Sequence, residues 1–314
     1  MKKGLFVLSL CAVLASCAHK APVADYRVVP LPQEISLMDD EAFVLTGNTS
    51  IVCQSDDDAM KSNARLLAEY VEEKTGLKLA VADEAAENAI VLSLGDVEDN
   101  AEAYKLSVGL DGVAITGASP AGVFYGIQTL RKALPVVQGG VVELPAVEIT
   151  DSPRFGYRGA HLDVSRHFFT VDSVKRFIDM LALHNMNRFH WHLTDDQGWR
   201  FEMKKYPKLN IVGTQRAQTV IGRNSGKYDG IPYGPFLYTQ DECREIVAYA
   251  AERHIEVVPE VEFPGHSCAV NAAYPELSCN PNGAHNVQVN GGVYADVLNV
   301  ASPLVMQFAK DVLD

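Results

Sequence analysis

Residues 26–150 alternate between hydrophobic spacings typical of helices and of strands. Apolar residues recur at helical spacing across 58–74, and Gly76 follows where a helix would end in a left-handed residue. The unbroken apolar run at 89–94 predicts a buried strand, and alternating segments on either side of an Asp-Gly turn at 111–112 predict a β-hairpin. This stretch carries no cluster of chemically reactive residues, so we interpret it as a supporting α/β domain.

After Asp151 the pattern changes to a strand followed by a helix, and this unit is repeated. The first predicted strand, 157–164, precedes a helix that begins at Val171. The second strand, 188–193, precedes a helix that begins at Thr239, and the third, 255–261, precedes one that begins at Ser302. Strands that alternate with helices, with long loops after the strands, predict a parallel sheet and most simply a β/α barrel.

We therefore expect an α/β protein made of two domains. An N-terminal α/β domain at 26–150 precedes the first three β/α units of a (β/α)8 TIM-type barrel at 151–314. A complete barrel takes about 250 residues, whereas 162 residues run from Pro153 to Asp314. The sequence thus predicts an incomplete catalytic barrel.

The first residues have the pattern of a bacterial export signal. Lys2 and Lys3 precede a short apolar run at 5–14, which is too short to cross a bilayer as a helix. The run leads into Leu-Ala-Ser-Cys, so we predict a lipoprotein signal peptide at 1–17, acylation of Cys17 and a tether at 18–25. The protein would then be held on a membrane of the bacterial cell envelope, periplasmic or outer-membrane, by its lipid. The alternative is an ordinary cleaved signal with an incidental cysteine.

Composition narrows the range of partners. Hydrophobic residues make up 47% of the chain, which is enough for a sizeable core, and the net charge is −13. Such an acidic chain is unlike a nucleic-acid-binding protein, which usually carries a basic patch. Four cysteines outside the signal, Cys53, Cys243, Cys268 and Cys279, lack the spacing of a zinc site. Cys268 and Cys279 are the closest pair for a disulfide, and buried free thiols are the alternative for the others.

Polar residues cluster at the ends of the three predicted barrel strands, where barrel enzymes place their active sites. The clusters are DVSRH at 163–167, HLTDDQGW at 192–199 and PEVEFPGH at 259–266. Taken singly, each has an ordinary structural explanation. Arg166 could pair with a rim carboxylate, Asp195 or Asp196 could cap a loop, and His266 could bond to backbone. Three such clusters in succession favour a functional site.

A metal site is a competing interpretation of the second cluster. His190 and His192 lie two residues apart, so their side chains share one face of a strand. With carboxylates nearby, this pair could hold a metal. The alternative is a pair of buried imidazoles that hydrogen-bond within the barrel. We favour the second interpretation and predict neither a metal nor another cofactor.

Four long motifs resemble those of the family 20 glycoside hydrolases. RGAHLDVSRHFF, NRFHWHLTDDQGWR, YTQDECREIVAYA and IEVVPEVEFPGHS occur in that family's order and spacing. The segment GVFYGIQTL at 122–130 is similar to part of the domain that precedes its barrel. The resemblance, which covers residues from about 26 to the end, implies a β-N-acetylhexosaminidase that acts on the non-reducing ends of glycans. It implies substrate-assisted retention, in which the substrate's own acetamido oxygen attacks the anomeric carbon.

The resemblance also implies roles for individual residues. Arg166 would bind sugar hydroxyls, and Asp195 and His266 would form a supporting pair that tunes the acid/base glutamate. The family's catalytic Asp-Glu pair, in a motif like HxGGDE, does not occur in these residues; we expect it beyond residue 314, and expect this polypeptide alone to be inactive. Glu262 stands where aspartate is more usual. A non-catalytic sugar-binding or scaffold lipoprotein and a metal-dependent barrel hydrolase are the alternatives.

Overall fold

The computed structural model describes residues 21–82, 87–222 and 225–314. The predicted signal peptide and Cys17 lie outside the described residues, as does part of the predicted tether, so acylation and membrane attachment stay predictions. No helix of the described residues is long and apolar enough to cross a membrane.

The N-terminal part is a mixed sheet covered by two helices. Its elements in chain order are β1 (Glu34–Leu37), β2 (Phe43–Leu45), β3 (Ser50–Cys53), α1 (Asp58–Thr75), β4 (Ala80–Ala82), β5 (Ala89–Leu94), β6 (Tyr104–Gly109), β7 (Gly112–Gly117), α2 (Pro120–Ala133), β8 (Val142–Leu144) and β9 (Val147–Asp151). Seven strands form one sheet in the order β1-β9-β6-β7-β5-β3-β4, and β2 pairs with β8. The predicted hairpin is β6 and β7, which pair antiparallel; its turn lies at 110–111, one residue before the predicted Asp-Gly position, because Gly112 already pairs with Gly109.

Local sequence signals define both helices of this part. The Asp57 carboxylate accepts hydrogen bonds from the first-turn backbone of α1, and Gly76 ends the helix with φ of 71°. Ser119 caps α2 in the same manner, and Pro120 occupies its first turn, where a missing N–H costs nothing. The predicted bounds of α1, 58–74, are confirmed to within a residue.

The C-terminal part contains the three predicted strands and the helices that follow them. Its elements are β10 (Gly159–Asp163), α3 (Val171–Leu183), β11 (Arg188–His192), β12 (Thr194–Asp195), β13 (Gly198–Trp199), α4 (Gln240–Ala251), β14 (Glu256–Glu260), α5 (Cys268–Ala273) and α6 (Pro303–Leu313). The long strands pair parallel in the order β10-β11-β14. The short pair β12–β13 and the six-residue helix α5 are additions that the hydrophobic pattern did not predict.

The period-two alternation of strands gives the parallel sheet two different faces. Phe189 and Trp191 of β11 are buried in the core shared with the helices, whereas His190 and His192 face the opposite side. The aliphatic core continues from the N-terminal sheet into α3 and α4, so the two parts share one core. A second cluster, which includes Trp199 and Phe308, lies between β13 and α6.

Candidate functional site

The carboxyl ends of β10, β11 and β14 bring the predicted polar clusters to one edge of the sheet. Asp163, His192 and Glu260 lie in register across the three strands. His161 and His190 form the next layer towards the amino ends. This polar face is where the sequence predicted the chemistry, because parallel strands end at the same edge.

Arg166 is held in place by the loop that follows β10. One carboxylate oxygen of Asp163 accepts hydrogen bonds from the backbone N–H groups of Ser165 and Arg166, at 2.9 and 3.0 Å, which folds the loop back. The guanidinium lies 2.7 Å from the other Asp163 oxygen, 2.5 Å from Asp195 Oδ2 and 3.0 Å from Gln197 Oε1. These contacts fix the direction of the guanidinium. Because 36% of the side chain is exposed, its charge is still accessible.

Asp195 is the buried centre of the site. Its side chain has no exposed surface, and its Oδ2 faces both Arg166 and His192 Nε2, the latter at 3.1 Å. Its Oδ1 accepts the backbone N–H of Asp196 at 2.7 Å and lies 3.2 Å from His266 Nδ1. A buried carboxylate needs such partners, because an uncompensated charge in the interior is costly.

His266 lies between two aspartates. Its Nδ1 is 2.9 Å from Asp196 Oδ2 and 3.2 Å from Asp195 Oδ1. The structure thus brings Asp195 and His266 together, as the sequence predicted, and adds Asp196 as the nearer acceptor. Burial lowers the pKa of His266. The hydrogen bond to Asp196 and the two negative charges raise it by more, so the pKa lies above its ordinary value. Asp196 also accepts the backbone N–H of Cys268 at 3.1 Å, which ties the start of α5 to the site.

Glu260 and Glu262 differ in their ionisation. Burial, the hydrogen bond to Glu260 and the nearby negative charges raise the pKa of Glu262. Burial also acts to raise the pKa of Glu260, but the hydrogen bond from Glu262 and the charges of His192 and His190 lower it more. The two carboxyl groups therefore titrate apart, with the pKa of Glu262 above the ordinary value and the pKa of Glu260 below it. The backbone N–H of Glu262 donates to Thr194 Oγ1 at 2.9 Å, which fixes the loop after β14.

Two buried arginines hold the long loops against the site. The Arg200 guanidinium donates to the carbonyl oxygens of Ser165 and Thr214, both at 2.8 Å, and Arg216 donates to the carbonyl of Arg166 at 2.9 Å. Beside Arg166 they leave a cavity of about 190 Å³ that is lined in part by Gln197 and Arg216. A cavity whose mostly apolar wall carries a fixed guanidinium can bind a small ligand that has hydroxyl groups on an apolar frame.

Sequence reasoning did not single out His161, Gln197, Arg200 or Arg216. A signal existed for the first, because His161 and Asp163 alternate on a predicted strand and must share a face. The other three act from loops whose course is set by tertiary contacts. The four cysteines considered for a disulfide are all free, with Cys268 buried and Cys279 exposed.

Two family models match the chain. The model described as "Glycosyl hydrolase family 20, domain 2" matches residues 25–152. The model described as "Glycosyl hydrolase family 20, catalytic domain" matches residues 155–314.

The chain is similar to curated beta-hexosaminidases from two bacteria. The one from Porphyromonas gingivalis is 38% identical over 332 aligned residues, which cover 100% of this chain and 41% of the relative. The one from Akkermansia muciniphila is 38% identical over 68% of this chain and 42% of its own length. The chain thus spans less than half the length of these relatives.

Solved structures share the fold. An N-acetyl-beta-hexosaminidase from Streptomyces plicatus is 36% identical with a TM-score of 0.80, over 91% of this chain and 56% of that one; one of its structures is a complex with the product GlcNAc. An exo beta-N-acetylglucosaminidase from Vibrio harveyi, in complex with N-acetylglucosamine, is 30% identical with a TM-score of 0.77, over 94% of this chain and 45% of that one.

Proposed function

We propose that this chain forms part of an enzyme that removes terminal N-acetylhexosamine residues from glycans. The chain belongs to glycosyl hydrolase family 20 and carries its domain 2 and part of its catalytic domain. The substrates are β-linked N-acetylglucosamine or N-acetylgalactosamine residues at non-reducing ends. The observation that carries the proposal is the Arg166 guanidinium, which is fixed by Asp163 and Asp195 and lines a small cavity. The similarity to proteins named beta-hexosaminidase supports it.

Arg166 is the proposed sugar-binding residue. Its planar guanidinium can donate several hydrogen bonds in fixed directions, which suits adjacent hydroxyl groups of a pyranose ring. Asp163, Asp195 and Gln197 use some of its donors and leave the exposed part of the guanidinium free for a ligand. The cost of ordering a long side chain is thus met before the sugar binds.

Asp195 and His266 are the proposed positioning residues. The two carboxylates beside His266 raise its pKa, which favours the imidazolium form, and their contacts with Nδ1 orient the ring. In the proposed retaining mechanism the 2-acetamido oxygen of the substrate displaces the leaving group, while a glutamate acts as acid and then as base. No HxGGDE motif occurs in the 314 residues, so the roles assigned to this chain are those of binding and positioning.

The parallel strands β10, β11 and β14 are the proposed first three strands of a (β/α)8 barrel. They follow one another in space in chain order, with helices between them, which is the arrangement of a barrel wall. The site lies at their carboxyl ends, where such barrels carry their chemistry.

The test is binding of N-acetylglucosamine to the 314-residue chain, followed by ligand-observed NMR. We expect the Arg166→Gln variant to lose about 10-fold or more in affinity, because hydrogen bonds to a charged group contribute about 1.5–3 kcal/mol. Arg244→Gln is the matched control, since Arg244 is an exposed arginine of α4 that pairs only with a neighbouring aspartate among the described residues. Equal affinity of the two variants, or no binding to the unmodified chain at millimolar sugar, would contradict the proposal.

A further inference from the structure

Three imidazoles and one carboxylate converge on the polar face of the parallel sheet. His161 comes from β10, His190 and His192 from β11, and Glu260 from β14. The Oε2 atom of Glu260 has His192 Nδ1 at 3.4 Å and His161 Nε2 at 3.7 Å, and His190 Nε2 is in direct contact with it. His161 Nε2 and His192 Nδ1 are 3.2 Å apart. Each strand of the sheet therefore contributes at least one donor atom.

Three of these separations suit a tetrahedral metal shell. Zinc binds imidazole nitrogen at about 2.0–2.1 Å and carboxylate oxygen at about 2.0–2.2 Å, so donor atoms around one ion lie roughly 3.3–3.5 Å from each other. The three distances among His161, His192 and Glu260 are close to that edge length. His190 lies nearer to Glu260 than the edge requires, and an ion between them would push its ring outward.

The surroundings of two donors point to a ligand as well. His192 directs its Nε2 to the carboxylate of Asp195 at 3.1 Å, and Nδ1 to the cluster. An imidazole that binds a metal through one nitrogen usually donates from the other to a carboxylate, which fixes the tautomer. Glu260 Oε2 is buried and, among the described residues, accepts no hydrogen bond of good geometry, although three imidazole nitrogens surround it.

We propose that His161, His190, His192 and Glu260 bind one divalent transition-metal ion of the zinc class. Three imidazoles and a carboxylate are the donors that Zn²⁺ and its neighbours prefer, and four protein ligands are typical of a structural site. The ion cross-links β10, β11 and β14. As the metal binds, a neutral His161 exchanges its Nε2 proton for one on Nδ1, so both His161 Nε2 and His192 Nδ1 are free for the ion. This function goes beyond sugar binding, because His161 and His190 lie one layer deeper in the sheet than Arg166's partners.

The test is calorimetric titration of ZnCl2 into the chelator-treated 314-residue chain. We expect one ion per chain. Loss of residues around a metal's own ligands already costs about 10–100-fold in affinity, so His161→Ala and His190→Ala should each cost at least that much. His184→Ala is the matched control, because His184 is an exposed imidazole just after α3. The zinc affinity of this variant should match that of the unmodified chain.

Two further measurements protect the test against misfolding. Glu260→Gln keeps the size of the side chain and should also weaken binding, and circular dichroism shows whether each variant is folded. In the Co²⁺-loaded chain, an intense visible absorption band typical of four-coordination should appear and be lost in His161→Ala. Absence of binding at millimolar zinc overturns the proposal, as does binding that survives in folded His161→Ala and His190→Ala. Loss in His266→Ala alone would assign the ion to Asp195 and Asp196 and would overturn it too. None of these readouts depends on sugar binding.

Discussion

At the scale of single residues, the site is organised by two adjacent aspartates with different partners. Asp195 ends β12 and turns its carboxylate towards Arg166 and His192, whereas Asp196 turns towards His266 and the start of α5. Both side chains are buried, so the geometry of each depends on the cations and N–H groups that it faces.

The charge of His266 should depend on Asp196. The Asp196→Asn variant removes the nearer negative charge and is expected to lower the pKa of His266 by about one unit, since an opposite charge within 4–6 Å shifts a pKa by about 1–3 units. The sign follows from the imidazolium, which loses a partner that favours its protonated form. NMR titration of the His266 ring proton against pH measures the change.

Asp241→Asn serves as the control for this titration, because Asp241 lies on the exposed surface of α4. The pKa of His266 should be the same in this variant as in the unmodified chain. An unchanged pKa in Asp196→Asn would show that the contact at 2.9 Å does not determine the charge of His266.

The sequence predicts only some of the contacts among these residues. It identified Arg166, Asp195 and His266 as members of one site, but it could not assign the nearer acceptor of His266 to Asp196. Alternation indicates which residues share a face only along a regular strand, and β12 is two residues long. The direction of each aspartate is set by tertiary contacts, such as the Cys268 N–H, that are distant in sequence.

At the scale of elements, long periodic segments with capping residues were predictable and short ones were not. The predicted strands at 157–164, 188–193 and 255–261 are found as β10, β11 and β14, each slightly shorter. The helix α5 has six residues, too few for a helical period to show in the sequence. Its first residue is instead bound by the Asp196 carboxylate, which only the folded chain brings there.

The capping box of α4 should contribute measurably to stability. Thr239 accepts a hydrogen bond from the backbone N–H of Glu242, whose side chain accepts the Thr239 N–H in return. We expect Thr239→Ala to lower the free energy of unfolding by about 1 kcal/mol. Urea denaturation followed by circular dichroism measures the loss.

Thr239→Ser keeps the hydroxyl group that accepts this bond and is the matched control. Its free energy of unfolding should lie within a few tenths of a kcal/mol of the unmodified chain. An equal loss in the serine and alanine variants would attribute the effect to the missing methyl group rather than to the cap.

At the scale of the whole molecule, a partly buried polar contact joins the two parts of the chain. Glu102, just before β6, lies 2.7 Å from the Arg158 guanidinium, and it accepts a hydrogen bond from the Asn187 amide at 3.0 Å. Tyr125 of α2 donates to the same carboxylate. The parts of the chain before and after residue 151 thus differ in sequence pattern, but they share one core and are joined by this ion pair.

Glu102→Gln should destabilise both parts together, and more so at neutral pH. Burial raises the pKa of Glu102, but the hydrogen bonds from Arg158 and Asn187 lower it more, so it lies below its ordinary 4.5. The ionised group therefore stabilises the fold above pH 4.5, and this contribution is lost as pH falls through the lowered pKa. We expect a loss of about 2 kcal/mol at pH 7, which shrinks below pH 4.5.

Urea unfolding followed by two probes tests this coupling. Tryptophan fluorescence reports on the C-terminal part, because Trp191 and Trp199 are the only tryptophans in the sequence, and circular dichroism reports on both parts. Glu98→Gln, a change at an exposed glutamate, should leave both midpoints unchanged. If Glu102→Gln moved the dichroism midpoint and left the fluorescence midpoint in place, the two parts would unfold independently.

Because the Asp195 side chain has no exposed surface, dissolved ions cannot approach its carboxylate directly. Mobile ions screen exposed charges over about 10 Å at 0.1 M salt, whereas buried pairs are screened much less. The pair Arg244–Asp241, with side chains 68% and 93% exposed, weakens as salt is added. The attraction between Arg166 and Asp195 is screened less, so we expect the guanidinium to keep its orientation over a wider range of salt concentration.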